Sequence, residues 1–254
     1  MFARNRQLDL IYVLARTQLK ARYKNAALGY LWSLAHPLAF AAVFYFVFQV
    51  IMPSSRMNMA AFLMTGLFPW QWVGNSVNQG TMVFIDNGAL IRKVAFPRYF
   101  LPLSMVLQDG WHFLLSLPVL LAILWVSGIA PHPGLLIGVP LLMLNQAGIL
   151  LGIALALGSL NMFLRDIQHL VAIVMMAAFY GTPIIYEAQQ VPAAYRWIPA
   201  VNPFTSIIGG WRSLLLDGVV PWSEIASGAG MAVVCLAAGG LIYHSLSKRF
   251  AELL

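Results

Sequence analysis

Six long, predominantly apolar runs fix what this chain can fold into. A helix rises 1.5 Å per residue, so a hydrocarbon core of about 30 Å takes about 20 apolar residues to cross. The runs at 31–51, 60–84, 99–126, 134–161, 167–186 and 226–246 meet that requirement, and they predict six transmembrane helices. Composition agrees. The chain is 61% hydrophobic and 9% charged, against about 45–50% and about 25% in soluble domains. A soluble chain this apolar would lack the polar residues to cover its surface. The expected fold class is an all-α polytopic membrane protein.

Lys and Arg orient the helices. Arg4, Arg6, Arg16, Lys20, Arg22 and Lys24 precede the first run. Arg92, Lys93 and Arg98 lie between the second and third, Arg165 between the fourth and fifth, and Lys248 and Arg249 after the sixth. All of these fall on one face of a six-span layout, and only Arg56, Arg196 and Arg212 fall on the other. The positive-inside rule makes the first face cytoplasmic. Both termini are then expected in the cytoplasm, with the protein in a bacterial inner membrane. The net charge of +7 reflects this bias and calls for no nucleic-acid partner.

Several segments carry more than a span requires. In residues 1–30, Leu8, Ile11, Tyr12, Ala15 and Leu19 form one helical stripe, and Asp9, Arg16, Lys20 and Lys24 form another. This pattern suits an amphipathic helix lying on anionic lipid, or a cuff that also meets a cytoplasmic partner. The 85–98 loop reads IDNGALIRKVAFPR and sets Leu90, Ile91, Val94 and Phe96 among charges, as a short helix that anchors at the interface or docks into a partner would. Asp166 can cap the fifth span, and Arg165 complements the end of the fourth. Phe40, Phe44 and Phe48 recur on one face of the first span beside Tyr45. That stripe suits helix packing, lipid, or the C–H faces of a passing sugar. Asp109 and His112 lie one turn apart within the third span, as a functional pair or as glue between helices. Gly148-x-x-x-Gly152, extended by Ala156, marks a close-packing face. Residues 187–225 are semi-polar and rich in Pro and Trp, and predict short periplasmic re-entrant helices. Domain boundaries follow: a 1–30 interface helix and a 31–254 membrane domain.

No Gly is followed by Lys, so there is no Walker A phosphate loop, and no His-Glu-x-x-His or Gly-x-Ser-x-Gly motif occurs. The single cysteine, Cys235, cannot build a disulfide within the chain or a cysteine-ligated zinc site. No catalytic residue, metal or cofactor is expected in this chain. Any ATP hydrolysis belongs to a partner.

The blocks ARYKNAALGYLWSLAHPL (21–38), LIRKVAFPRYFLPL (90–103), LRDIQHLV (164–171), TPIIY (182–186) and NPF (202–204), with Arg212 beyond, occur in order over nearly the whole chain. In this the chain resembles the permease subunit of type-two ABC exporters for O-antigen, capsule and related cell-surface polysaccharides. The resemblance implies a homodimer working with two copies of a separate nucleotide-binding subunit, which binds ATP and magnesium. It implies a coupling helix around Asp86, Leu90, Ile91, Arg92, Lys93 and Phe96. It also implies a cytoplasmic entrance at the 164–166 corner, and periplasmic gate helices between 191 and 216. The implied cargo is a glycan on an undecaprenyl-type lipid carrier. Arg22, Lys24, Arg165 and Asp166 would stand at the entrance, where the basic groups suit the carrier diphosphate. Phe40, Phe44, Tyr45, Phe48 and Trp72 would line the channel.

Other cargoes within the family, such as teichoic acid or a small hydrophobic drug, fit the same pattern. A secondary transporter should show internal repeats and several midplane charges, and a membrane transferase should cluster acids or histidines near one face. The sequence shows neither: its eight acidic residues are scattered along the chain.

Overall fold

The computed structural model describes Ala39, Ala42, Val43, the π-helical turn Phe46–Ile51 and residues 59–250. Eight α-helices follow within 59–250: α1 (Met59–Asp86), α2 (Gly88–Lys93), α3 (Phe100–Val126), α4 (Leu135–Asn161), α5 (Ile167–Gly181), α6 (Trp197–Val201), α7 (Pro203–Arg212) and α8 (Trp222–Leu246). No strand occurs among the described residues. The expected 1–30 interface helix and more than half of the first expected span lie outside them.

Three helices are long and apolar enough to cross a membrane: α3, α4, and α8 with its continuation to Arg249. They coincide with the third, fourth and sixth expected spans. α1 has the length, at 28 residues, but Gln71, Asn75, Asn78 and Gln79 make it more polar. α5 departs from expectation. It stops at Gly181 after 15 residues, about 22 Å, where the sequence suggested continuation to Tyr186. The cause is Pro183, whose ring disfavours helical backbone at the residue before it. Thr182 is accordingly extended, at φ −100° and ψ 137°. Short helical pieces do fill the region between α5 and α8, at Ala188–Gln190, Ala193–Tyr195, α6, α7 and Ser213–Asp217.

Successive long helices run in alternate directions. The α1–α3 connection, the α4–α5 turn and the end of α8 meet at one end of the bundle. Asn161 Nδ2 donates to the Thr81 carbonyl at 2.9 Å, and Arg98 Nη1 donates to the Ser247 carbonyl at 2.6 Å. At the opposite end a ring nitrogen of His132, in the α3–α4 loop, bonds the Leu214 carbonyl at 2.7 Å.

Small residues set the closest helix approaches. Gly152 lies directly against the α8 backbone at Cys235, Gly239 against the α4 backbone at Gly152, and Gly148 against Ala232. The glycine motif of α4 therefore packs on the last helix of its own chain. On its other flank α4 meets α1, with Gly158 against the Gly80 carbonyl and Phe84. Gly152→Val should force a branched side chain into α8. Overpacking costs about 1–3 kcal/mol and occasionally more, so the variant should melt well below wild type in detergent. Gly74→Ala, whose added Cβ meets nothing within 4 Å, should melt with wild type. Similar melting of both variants would contradict the seam.

Candidate functional site

The first candidate region is the end where basic residues gather. Asn87 interrupts the helix after α1. Its side-chain Nδ2 donates to the Val83 carbonyl at 2.8 Å, while its own carbonyl accepts from the Leu90 and Ile91 amides at 3.0 Å. α2 then runs for six residues and ends at an extended Val94. Of the expected coupling residues, Ile91 is buried, and Leu90 and Phe96 pack half-buried against the core. Asp86, Arg92 and Lys93 are exposed, beside an exposed Val94. The apolar residues thus anchor the turn from beneath and leave a charged outer face. Arg98 clamps the segment to α8 through Ser247 and stacks over Phe250, 5.8 Å from its ring centre. Phe250 is itself fully buried against Phe84, at 4.9 Å between ring centres.

Arg165 and Asp166 are exposed in the turn between α4 and α5. The expected side-chain cap is not made. Asp166 already has helical backbone, at φ −71° and ψ −13°, and its carboxylate bonds no amide of α5. Capping side chains normally work from extended backbone. The charge still sits where it complements the helix dipole. Arg22 and Lys24 lie outside the described residues, as do Phe40, Phe44, Tyr45 and the side chain of Phe48.

The second region is the polar interior of the bundle. Asp109 is buried and accepts a hydrogen bond from Ser76 Oγ at 2.9 Å, tying α3 to α1. His112 is half-buried one turn further along. Trp72, expected among the channel rings, is buried inside the protomer. It stacks on Phe113 at 5.5 Å, which meets Trp211 edge-on at 4.8 Å. Trp211 Nε1 donates to Gln146 Oε1 at 2.8 Å, and Gln146 Nε2 donates to the Pro69 carbonyl at 3.0 Å. One amide of α4 thereby holds α1 and α7 together.

The third region, at the opposite end, takes in part of the expected 187–225 gate segment, but none of its residues was among the expected site residues. The extended Thr182 hydroxyl donates to the Ala178 carbonyl at 2.6 Å and accepts from Asn202 Nδ2 at 2.8 Å. Asn202 Oδ1 caps α7 by accepting from the Phe204 amide at 2.9 Å, and Pro203 occupies the first turn, where its missing N–H costs nothing. At the other end of α7, Arg212 donates to the Pro183 and Ile184 carbonyls, each at 2.8 Å. Its guanidinium carbon lies 3.6 Å from the centre of the Phe62 ring. The TPIIY and NPF…Arg blocks are therefore one device: two side chains of the α7 segment hold the broken end of α5. They border a cavity of about 560 Å³, lined in part by Glu187, Asp217 and Glu224.

With three apolar helices long enough to cross a bilayer, the molecule is a membrane protein. The chain belongs to the ABC-2 type transporter family, whose profile matches residues 9–216. It is similar over nearly its whole length to two proteins of Klebsiella pneumoniae described as O-antigen export system permease protein RfbA. Each is 39% identical over 246 residues, covering 97% of this chain and 95% of the relative. A protein of Myxococcus xanthus with the same description is 31% identical over 246 residues, covering 96% of this chain and 94% of the relative.

Arg212→Lys should test the α5–α7 device. A single ammonium replaces a planar fork that reaches two carbonyls. Losing one charge-assisted bond, worth about 1.5–3 kcal/mol, should speed amide exchange at Ile184 and Tyr186 by roughly tenfold or more. Unchanged exchange there would show that Arg212 does not hold the turn.

Proposed function

We propose that this chain is the membrane-spanning permease subunit of an ATP-driven exporter that moves an O-antigen-type polysaccharide, on a lipid diphosphate carrier, from cytoplasm to periplasm. The observation that carries this reading is the near-complete alignment with O-antigen export permeases at 39% identity. The permease works as a homodimer with two copies of a nucleotide-binding subunit, which binds ATP and magnesium. Each protomer has six spans, counting 31–51 and the shortened α5, and both termini are cytoplasmic. α7 and its neighbours form re-entrant helices on the periplasmic side.

The physics suits the task. A sugar polymer is too polar for lipid and too long for one occluded site, so it needs a channel moved by an outside motor. The concentration of Arg and Lys around α2 and the α4–α5 turn supports a cytoplasmic assignment for that end. α2 couples to the ATPase through its exposed face, Asp86, Arg92 and Lys93, while Leu90, Ile91 and Phe96 transmit force into the bundle. Arg165, with Arg22 and Lys24, attracts the carrier diphosphate. Asp166 lies beside it at the same entrance. Phe40, Phe44, Tyr45 and Phe48 of the first span supply the channel rings. Trp72 packs within the core on Phe113, and the buried Asp109, with the half-buried His112 one turn on, sits where α3 is tied to α1.

Co-purification with the nucleotide-binding subunit tests the reading. The wild-type pair should hydrolyse ATP and restore surface polysaccharide to cells lacking the permease. The double variant Arg92→Glu, Lys93→Glu should leave the permease folded, because both side chains are exposed. It should nevertheless lose the bound ATPase and reduce surface polysaccharide by about tenfold or more, equivalent to about 1.4 kcal/mol of lost coupling. Undiminished complex formation and export would remove α2 from the coupling role. Failure of the wild-type pair to associate would overturn the exporter reading.

A further inference from the structure

The cavity beside α7 shares a wall with the α5–α7 device and has no part in the coupling described above. We propose that it binds a short stretch of neutral, hydroxyl-rich glycan on the side of the membrane away from the ATPase. The inference rests on the proposed function and gives this end of the transport path its ligand chemistry.

Size comes first. A volume of about 560 Å³ lies within the range of small-molecule sites, about 300–1,000 Å³. That is room for a few linked sugar rings and far too little for a polymer. The walls come next. Phe62, Pro183 and Leu216 line the cavity together with the polar residues Ser227, Asp217 and Glu224. A sugar ring presents apolar C–H faces and a rim of O–H donors, and such walls match both. A wall this polar is also unsuited to lipid, so the cavity belongs with water.

Charge then selects among hydroxylated ligands. Arg212 is the one cation among the described lining residues, and its guanidinium holds the Pro183 and Ile184 carbonyls and covers Phe62. Glu187 takes part in capping the Ala188–Gln190 turn. Asp217 and Glu224 remain as acceptors, and each carboxylate offers more lone pairs than one bond uses. Ser223 Oγ occupies only one oxygen of Glu224, at 2.5 Å. An anionic ligand such as the carrier diphosphate would meet like charge, whereas a neutral polyol would find acceptors.

The test uses the permease–ATPase complex in lipid nanodiscs, with Cys235→Ala removing the native thiol and Ser227→Cys or Ala200→Cys placing a reporter in the cavity. The readout is the rate of labelling by a membrane-impermeant methanethiosulfonate. The probes are neutral oligosaccharides released from the host's own surface polysaccharide by mild acid, and inorganic pyrophosphate. The oligosaccharides should slow labelling saturably at both reporters, and pyrophosphate should not. Asp217→Asn and Glu224→Gln should each raise the half-protecting concentration by about tenfold, the loss of one hydrogen bond, at unchanged melting temperature. No protection by the oligosaccharide, equal protection by pyrophosphate, or unaltered half-protection in both variants would overturn the proposal. ATP hydrolysis and glycan export are measured on the same complex. An active exporter without protection sinks the cavity assignment alone, whereas a permease that recruits no ATPase sinks the exporter reading and this inference with it.

Discussion

A polar group in hydrocarbon has no water to turn to, so it must find its partner within the protein. That constraint accounts for several of the polar residues this bundle keeps. Gln146 engages its amide at both ends, with the Pro69 carbonyl and the Trp211 indole. Asn145 reaches the Ile225 carbonyl at 2.7 Å, Asn161 reaches the Thr81 carbonyl, and Ser76 reaches Asp109. Each bond joins two different elements, so residues that would be costly toward lipid fix the register between helices. Such bonds average only about 0.6 kcal/mol apiece in membrane proteins. Most of the cohesion must therefore come from close contact, and the glycine seam between α4 and α8 brings two backbones near enough to provide it.

Charge separates along the long axis of this scaffold. Arg92, Lys93, Arg98 and Arg165 lie at one end with Lys248 and Arg249, while Glu187, Asp217 and Glu224 surround the cavity at the other. Under the proposed function the two ends meet different parts of one cargo. The basic end suits a diphosphate and an ATPase surface. The acidic cavity disfavours phosphate and accepts hydrogen bonds from sugars. A glycan arriving behind its carrier would find no electrostatic trap at the exit, which matters because cargo held too tightly cannot leave.

Hydropathy made α3, α4 and α8 legible, because a membrane helix declares itself by length and apolarity alone. The early end of α5 was also legible in principle, since Pro183 disfavours helical backbone at Thr182, but the apolar run continues past it and masked the signal. The apolar residues of the 85–98 loop showed that the segment is more than a linker. Their direction was not readable, because Leu90, Ile91 and Phe96 fit an inward anchor as well as an outward plug until they are seen packed against the core. Trp72 misleads for a related reason: an aromatic in a span looks alike whether it faces a pore or the core. The Thr182–Asn202–Arg212 device joins positions 20 or more residues apart, and no periodicity reports such contacts. The acids at 187, 217 and 224 are scattered in sequence, and only the turns between α5 and α8 bring them to one cavity.

One helix connects the two ends. α8 begins beside the cavity, where Gly210 of α7 lies against Glu224 and a Cβ there would approach Glu224 Cβ to 3.3 Å. With its continuation to Arg249 it spans 28 residues, about 42 Å, and finishes where Arg98 grips Ser247. Along the way the glycine seam locks it to α4. A helix in direct backbone contact with its neighbour resists bending independently, because packed interfaces rearrange between discrete states and do not deform continuously. A tilt imposed at the end that Arg98 clamps would therefore be shared by α4 and α8 and reach the cavity wall through both. Under the proposed function, that is how ATP hydrolysis beneath the membrane would act on a glycan site on its far side without any charge crossing the hydrocarbon.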